Sequence, residues 1–132
     1  MKTYAYAALE QGSTLVPYTL ERRELRHDDV NIEILYSGVC HSDLHMAKND
    51  WGRTVFPLVP GHEIVGKVIA IGKDVNKFKI GDHVAVGTFV DSCMHCDQCH
   101  KGEEHMCRKI LTETYNGQDR ITGENTAGGY AK

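Results

Sequence analysis

The run EIVGKVIAIGKDVNKFKIGDHVAVG, residues 63–87, carries the strongest indication of the fold class. Two short apolar segments rich in β-branched residues, both bounded by glycines, flank a polar connection, and this pattern is typical of β-strands. The Gly81-Asp82 pair in the connection predicts a tight turn. We expect Phe78 and Ile80, just before that turn, to face inward.

Strand patterns continue on both sides of this run. Upstream, VNIEILYSGV (residues 30–39) alternates in polarity, which predicts a strand with Val30, Ile32, Ile34 and Tyr36 on one face. Downstream, HVAVGTFV (83–90) extends the second apolar segment. Near the N-terminus TYAYAA (3–8) and TLVPYTL (14–20) are weaker candidates, and Pro17 places the latter at a sheet edge.

One short helix is predicted, with Ser42 as its N-cap and its end near Asn49. Short strands at close spacing with little helix favour a mainly β fold, either a small, strongly bent sheet or a partly open barrel with short helices.

Length and composition indicate one ordinary globular domain. The 132 residues are 41% hydrophobic and 25% charged, and the net charge is −3 with histidines neutral. This balance provides no basic surface for nucleic acid or for a membrane. The first residues lack the apolar core of a signal peptide, so we expect a cytoplasmic protein with reduced thiols.

The segment DSCMHCDQCHKGEEHMC, residues 91–107, contains four of the five cysteines. Their spacing, Cys93-x2-Cys96-x2-Cys99-x7-Cys107, suits four thiolates at the corners of a tetrahedral, structural zinc site. Because the segment is polar and has almost no core, we expect the metal to order a lobe of about residues 91–110 that projects from the barrel. The binding free energy of a structural zinc is roughly 10 kcal/mol or more, and it contributes to folding.

Three other interpretations of these cysteines are an iron–sulfur cluster, a disulfide lobe and a redox pair. A ferredoxin loop ends with a gap of three residues and a proline, whereas this one ends with seven residues and Arg108. Three histidines of the segment are alternative ligands, although with four cysteines present we interpret them as solvated: His95, His100 and His105.

A second possible metal site combines Cys40 in CHSDLH with His62 and Glu63 in GHE. Taken singly, a cysteine after a strand is most often a small buried hydrophobe, and a lone histidine is most often on the surface. Together, a thiolate, an imidazole and a carboxylate from two loop edges are suited to an incomplete zinc shell.

Several motifs in order, GVCHSDLH, PLVPGHEIVGKV, VNKFKIGDHVAVG, the four-cysteine segment and GGYA, resemble the zinc-dependent medium-chain alcohol dehydrogenases. The resemblance is nearest to the cinnamyl-alcohol-dehydrogenase-like branch. It implies the family's N-terminal catalytic domain, a GroES-like, partly open β-barrel, and a structural zinc held by the four clustered cysteines.

The resemblance also implies roles at the second site. Cys40 and His62 would be ligands of a catalytic zinc, with Glu63 beside it and able to enter its shell. Ser42 and His45 would relay the proton of a primary alcohol, whose hydride passes reversibly between alcohol or aldehyde and NADP(H).

Three further residues take roles from the same resemblance. Asp43 would hydrogen-bond a ligand such as His62 and fix its tautomer. His41 would lie near the cofactor phosphates, and Trp51 would form an apolar wall of the substrate pocket, with a core or hinge aromatic as the equal alternative.

The family's third catalytic cysteine and its nucleotide-binding domain are not found in these residues. We therefore expect 1–132 to be one catalytic domain that holds the structural zinc tightly and the catalytic zinc weakly. It would be inactive alone and would self-associate through its exposed interdomain face. The alternatives are a stand-alone zinc-binding module for protein or nucleic acid, and a scaffold or inhibitor of a full-length relative.

Overall fold

A computed structural model describes all 132 residues, and the chain is mainly β. The strands are Lys2–Ala7 (β1), Val16–Glu21 (β2), Val30–Ser37 (β3), Ile64–Ile71 (β4), His83–Val86 (β5), Phe89–Asp91 (β6) and Thr112–Glu113 (β7). The helices are His41–Lys48 (α1) and Asp97–His100 (α2), with a 3₁₀ turn at Glu104–Met106. The predicted mainly β fold with short helices is confirmed.

The strands form three small antiparallel sheets rather than one closed barrel. Their orders are β1-β2, β3-β4-β5 and β6-β7. On its other edge β1 pairs with the C-terminal residues, where the Lys132 N–H donates to the Tyr4 carbonyl at 2.7 Å. None of the helices has the length and apolar character needed to cross a membrane.

Two small apolar clusters provide the core. The first joins β1 to the C-terminus through Ala5, Ala7, Val59 and Ala131. The second consists of Ala8, Met46, Leu58 and Tyr115. Since Met46 belongs to α1, the second cluster fixes this helix against the end of β1 and the loop that follows β7.

Strand β3 departs from simple alternation. Its pairing with β4 shifts register between Asn31 and Ile32 and again between Ile34 and Tyr36. An extra residue in one strand reverses which face the following side chains occupy. Tyr36 is 74% exposed, so the prediction that it shares one face with the earlier apolar residues is wrong.

The turn at Gly81-Asp82 forms as predicted, because Gly81 has a φ of +97° and Asp82 Oδ2 accepts from the Lys79 N–H at 3.0 Å. Ile80, however, is 66% exposed, and the prediction that it faces inward is wrong. Phe78 is half-buried. The segment before the turn is not a strand, so alternation does not determine the direction of its side chains.

Helix α1 begins at His41, one residue before Ser42, the predicted N-cap. Its N-cap is Cys40, not Ser42, and the Asp43 carboxylate accepts the Cys40 N–H at 2.9 Å. A carboxylate at this third helical position satisfies a backbone donor that the helix leaves unpaired. The predicted end is confirmed, since Asn49 is the C-cap with a left-handed φ of 56°.

Candidate metal centres

The four cysteines of the lobe meet at one point. Their sulfur atoms all lie within 4.8 Å of one another, and no other group of three or more histidine, cysteine or acidic side chains gathers so closely. Cys93 follows β6, Cys96 and Cys99 lie at the N-cap and in the body of α2, and Cys107 follows the 3₁₀ turn. All four sulfurs therefore come from one short segment of the chain, in or next to short secondary-structure elements.

Backbone N–H groups are directed at three of these sulfurs. Cys93 Sγ accepts from the N–H of Cys96 at 3.3 Å and of His95 at 3.5 Å. Cys96 Sγ accepts from the Arg108 N–H at 3.4 Å, and Cys107 Sγ from the Cys93 N–H at 3.5 Å. Hydrogen bonds to a charged acceptor favour the charged form, so the loop is shaped to hold thiolates.

The thiols have pKa values that differ within the cluster. N–H groups of Cys99 and Arg108 lower the pKa of the Cys96 thiol to about 6. The Cys93 N–H lowers the pKa of Cys107. At Cys99 the Ser92 hydroxyl lowers the pKa, but burial and the neighbouring sulfurs outweigh it and raise the value to about 11. Four soft sulfur ligands in this arrangement fit Zn²⁺.

The rest of the lobe is polar. His95, His100 and His105 are exposed, and His105 Nε2 lies 3.2 Å from Glu103. An ion pair joins the start of α2 to the residue after Cys107: the Arg108 guanidinium donates to the Asp97 carboxylate at 2.6 and 2.9 Å.

Cys40, His62 and Glu63 do not form a comparable cluster of three. Cys40 is half-buried, and its Sγ lies 3.6 Å from Ser42 Oγ. The Glu63 carboxylate lies over Gly38, where an added Cβ would be 2.5 Å from its Oε2. Glu63 therefore lies close to the Gly38 backbone, two residues before Cys40.

Asp43 connects the two proposed ligands from a buried position, 3% exposed. Its Oδ1 accepts the N–H of Gly61, the residue before His62, at 3.0 Å. Its Oδ2 accepts the Cys40 N–H and the Tyr130 hydroxyl, each at 2.9 Å. The predicted hydrogen bond between Asp43 and the His62 ring is replaced by this bond to the neighbouring backbone.

Two tyrosines at this site were not identified from the sequence. Burial, and then the Asp43 carboxylate, raise the pKa of Tyr130. The ring of Tyr115 lies 5.2 Å from the ring of His62, centroid to centroid. Tyr130 lies in GGYA, one of the motifs that carry the family resemblance, so the sequence did point to this segment. Tyr115 has no local signal, because its position depends on packing across the chain.

The remaining predicted residues lie along α1 and just beyond it. His41 is exposed at the first helical position, and its ring lies 5.5 Å from that of His45. His45 Nδ1 is 2.8 Å from Asp50 Oδ2. Trp51 is 49% exposed, with its ring 5.2 Å from that of His45, so it belongs to the surface and not to the core.

An open groove of about 520 Å³ lies beside His62. One end of the β3–β4–β5 sheet contributes, and the walls of the groove include Tyr36, Gly38, Glu63 and Thr88. The groove gives a small molecule access to the His62 side of the site.

The chain is thus a strand-rich domain with a projecting lobe in which four thiols could hold one metal ion. Residues 26–132 match the family described as the alcohol dehydrogenase GroES-like domain. The chain belongs to this family.

Individual relatives agree with this assignment. A probable mannitol dehydrogenase of Medicago sativa is 49% identical over 131 residues, which is 99% of this chain and 36% of the relative. A solved cinnamyl alcohol dehydrogenase of Sorghum bicolor is 44% identical with a TM-score of 0.96, covering 100% of this chain and 37% of the other.

CAD from Helicobacter pylori, solved as a complex with NADP(H), is 39% identical with a TM-score of 0.94. The match covers 99% of this chain and 38% of that protein. The chain thus spans a little over a third of the length of the relatives it matches. The resemblance to the cinnamyl alcohol dehydrogenase branch, inferred from the motifs, is confirmed.

Proposed function

We propose that this chain is the zinc-binding catalytic domain of an NADP(H)-dependent alcohol dehydrogenase acting on primary alcohols and aldehydes. The observation that carries the proposal is the superposition of the whole chain on a cinnamyl alcohol dehydrogenase. His62, one of the two proposed ligands, lines an open groove, and this supports the same function.

The lobe holds a structural zinc through Cys93, Cys96, Cys99 and Cys107. Four protein ligands leave no position for a substrate, so this ion orders the lobe and takes no part in the reaction.

The catalytic metal is held by Cys40 and His62. Sulfur and imidazole nitrogen are ligands that zinc accepts, and Asp43 joins the backbones that carry them. The Tyr115 ring packs beside the His62 ring, and its buried hydroxyl has no hydrogen-bond partner. Zinc bound here would act as a Lewis acid on the substrate oxygen and lower the pKa of the alcohol.

Ser42 and His45 carry the substrate proton to solvent. Ser42 occupies the second helical position, beside the Cys40 sulfur. His45 is one helical turn further and lies on the same side. Its ring is half-exposed and is oriented by Asp50. A hydroxyl next to the metal ligand and an imidazole at the surface form a path for one proton.

Hydride exchange requires the nicotinamide cofactor. Gly128 and Gly129 do not form a phosphate cradle, because added Cβ atoms would lie 2.4 Å from the Pro60 carbonyl oxygen and from Ile64, respectively. They serve close packing instead. We assign His41 to the cofactor phosphates and Trp51 to the substrate wall, and we assign no other residue to NADP(H).

Three exposed apolar side chains on the β3–β4–β5 sheet support self-association of the isolated chain. Tyr36 is 74%, Val65 43% and Ile69 46% exposed. Exposed apolar patches of this kind favour contact with another surface. Sedimentation velocity at increasing protein concentration tests this point.

The experiment for the proposed function uses the single tryptophan as the reporter. Cinnamaldehyde added to the zinc-loaded chain should quench Trp51 fluorescence, whereas the C40S variant should show no saturable quenching. NADPH with cinnamaldehyde should give no turnover by the wild-type chain alone. Equal quenching in both proteins contradicts the proposed site, and steady NADPH consumption contradicts the inactivity of the isolated chain.

A further inference from the structure

Tyr115 is a buried tyrosine whose hydroxyl has no hydrogen-bond partner. The residue is 3% exposed, and its ring packs in the cluster with Ala8, Met46 and Leu58. Buried hydroxyls in folded proteins are nearly always paired, so an unpaired one calls for a physical explanation. Phenylalanine would fill the same apolar space without an unpaired polar atom.

The surroundings of this hydroxyl belong to the proposed catalytic metal site. The Tyr115 ring is inclined by 33° to the His62 imidazole, with the centroids 5.2 Å apart. Burial, and then the adjacent Asp43 carboxylate, raise the pKa of Tyr115, and the charge on Cys40 adds to the effect. A tyrosine hydroxyl can donate one hydrogen bond, and this one has no acceptor in the metal-free chain.

Asp43 has one acceptor position left for such a donor. A carboxylate offers about four lone-pair sites, and three are used: two at Oδ2, by Cys40 and Tyr130, and one at Oδ1, by Gly61. The open site is on Oδ1.

We propose that Tyr115 is a positioning residue of the Cys40–His62 site. Its ring supports the plane of the His62 imidazole, and its hydroxyl, unpaired in the metal-free chain, takes the remaining acceptor position of Asp43 when the metal binds. It thereby fixes the His62 segment relative to helix α1, which carries Cys40. This inference rests on the proposed function, and Tyr115 acts through His62 and Asp43 without touching the substrate.

The test is a titration of the metal-free, reduced full chain with cobalt(II), followed by visible absorption. The first equivalent reports the four-thiolate lobe, and the second reports the Cys40–His62 site. Y115F removes only the hydroxyl, Y115L removes the ring, and Y4F is the matched control because Tyr4 is 69% exposed on β1.

In Y115F we expect the second cobalt ion to bind about 10-fold more weakly, the size of effect typical of residues that orient metal ligands. The first equivalent should be unchanged. The melting temperature of metal-free Y115F should not fall, since the hydroxyl lacks a partner there. Y115L should weaken the second site further, and Y4F should match the wild type.

If Y115F binds the second cobalt ion with the affinity and the absorption spectrum of the wild type, the positioning role is overturned. A Y115F protein that melts earlier or weakens both sites would show a packing role instead, which also overturns the inference. If wild type takes up a single equivalent, the proposed metal site itself fails. If Y115L does not fold, the Y115F comparison still decides.

Discussion

The Oδ1 atom of Asp43 accepts a hydrogen bond from the backbone N–H of Gly61 at 3.0 Å. This bond joins helix α1 to the segment that carries His62. The same carboxylate caps the first turn through Cys40. One buried acid therefore fixes the two proposed ligands of the catalytic metal relative to each other.

Replacing Asp43 should destabilise the fold strongly. D43A leaves the Cys40 and Gly61 N–H groups and the Tyr130 hydroxyl without their acceptor, and each unpaired buried donor costs about 1–3 kcal/mol. We expect a loss of about 3 kcal/mol or more in the free energy of unfolding, measured by urea denaturation. Y130F removes one donor and leaves the acceptor, so it should cost about 1 kcal/mol. Similar stability of D43A and wild type would contradict the role of this carboxylate.

The lobe should depend on its metal. C99S removes a sulfur that is 7% exposed and lies inside the cluster. We expect the variant to lose its tightly held zinc, and amide hydrogens in residues 91–110 to exchange rapidly, because the lobe has almost no apolar core of its own. C40S is the control and should keep the lobe zinc. Metal analysis after gel filtration, with hydrogen exchange, measures both; full zinc content in C99S would speak against a four-sulfur site.

Glycine at position 66 allows β3 and β4 to approach closely. An added Cβ there would lie 2.3 Å from Ile32 Cγ2 and 2.5 Å from the Glu33 carbonyl oxygen. Overpacking of this kind costs about 1–3 kcal/mol, so G66A should melt several degrees lower, since each kcal/mol lowers the melting temperature by about 2–8 °C in domains of 60–250 residues. G87A is the matched control, because nothing lies within 4 Å of its Cβ position. Equal melting temperatures for the two variants would be inconsistent with this packing.

Acid should weaken the ion pair between Asp119 and Arg26. Two hydrogen bonds of 2.9 and 3.0 Å join the side chains. Arg26 first, and then the N–H groups of Thr122 and Ile121, hold the pKa of Asp119 below its ordinary value of 3.8. Because the folded-state pKa is lowered, the ionised carboxylate stabilises the fold above the ordinary value. That stabilisation is lost as the pH falls towards the folded-state pKa.

D119N should therefore be less stable than wild type by about 1–3 kcal/mol near neutral pH, with the difference shrinking below about pH 4. Thermal melts across this range measure it. D28N, at an exposed position of the loop that contains Arg26, should follow the wild type at every pH. A constant difference between D119N and wild type down to low pH would rule out linkage to Asp119.

Features with a local cause were predictable from the sequence. The four sulfurs meet because their spacing within one short segment brings them together. The main strands follow from apolar runs bounded by glycine. The prediction that Tyr36 shares one face with Val30, Ile32 and Ile34 was wrong because a register shift, which depends on the partner strand, reverses the alternation.

Features that depend on distant parts of the chain were not predictable. The Asp43 carboxylate accepts the N–H of Gly61, which lies 18 residues further along the chain. Tyr115 lies beyond the lobe in the sequence and packs against the His62 ring. No local pattern encodes these two contacts, because each joins residues that are far apart in the sequence.

Anomalous X-ray scattering at the zinc edge, from crystals of the reduced, zinc-loaded chain, tests the central claim most directly. We predict two peaks, a strong one enclosed by the four lobe sulfurs and a weaker one between Cys40 Sγ and His62. A peak in the lobe alone, with Cys40 and His62 directed away from any shared position, would contradict the assignment of dehydrogenase chemistry to this domain.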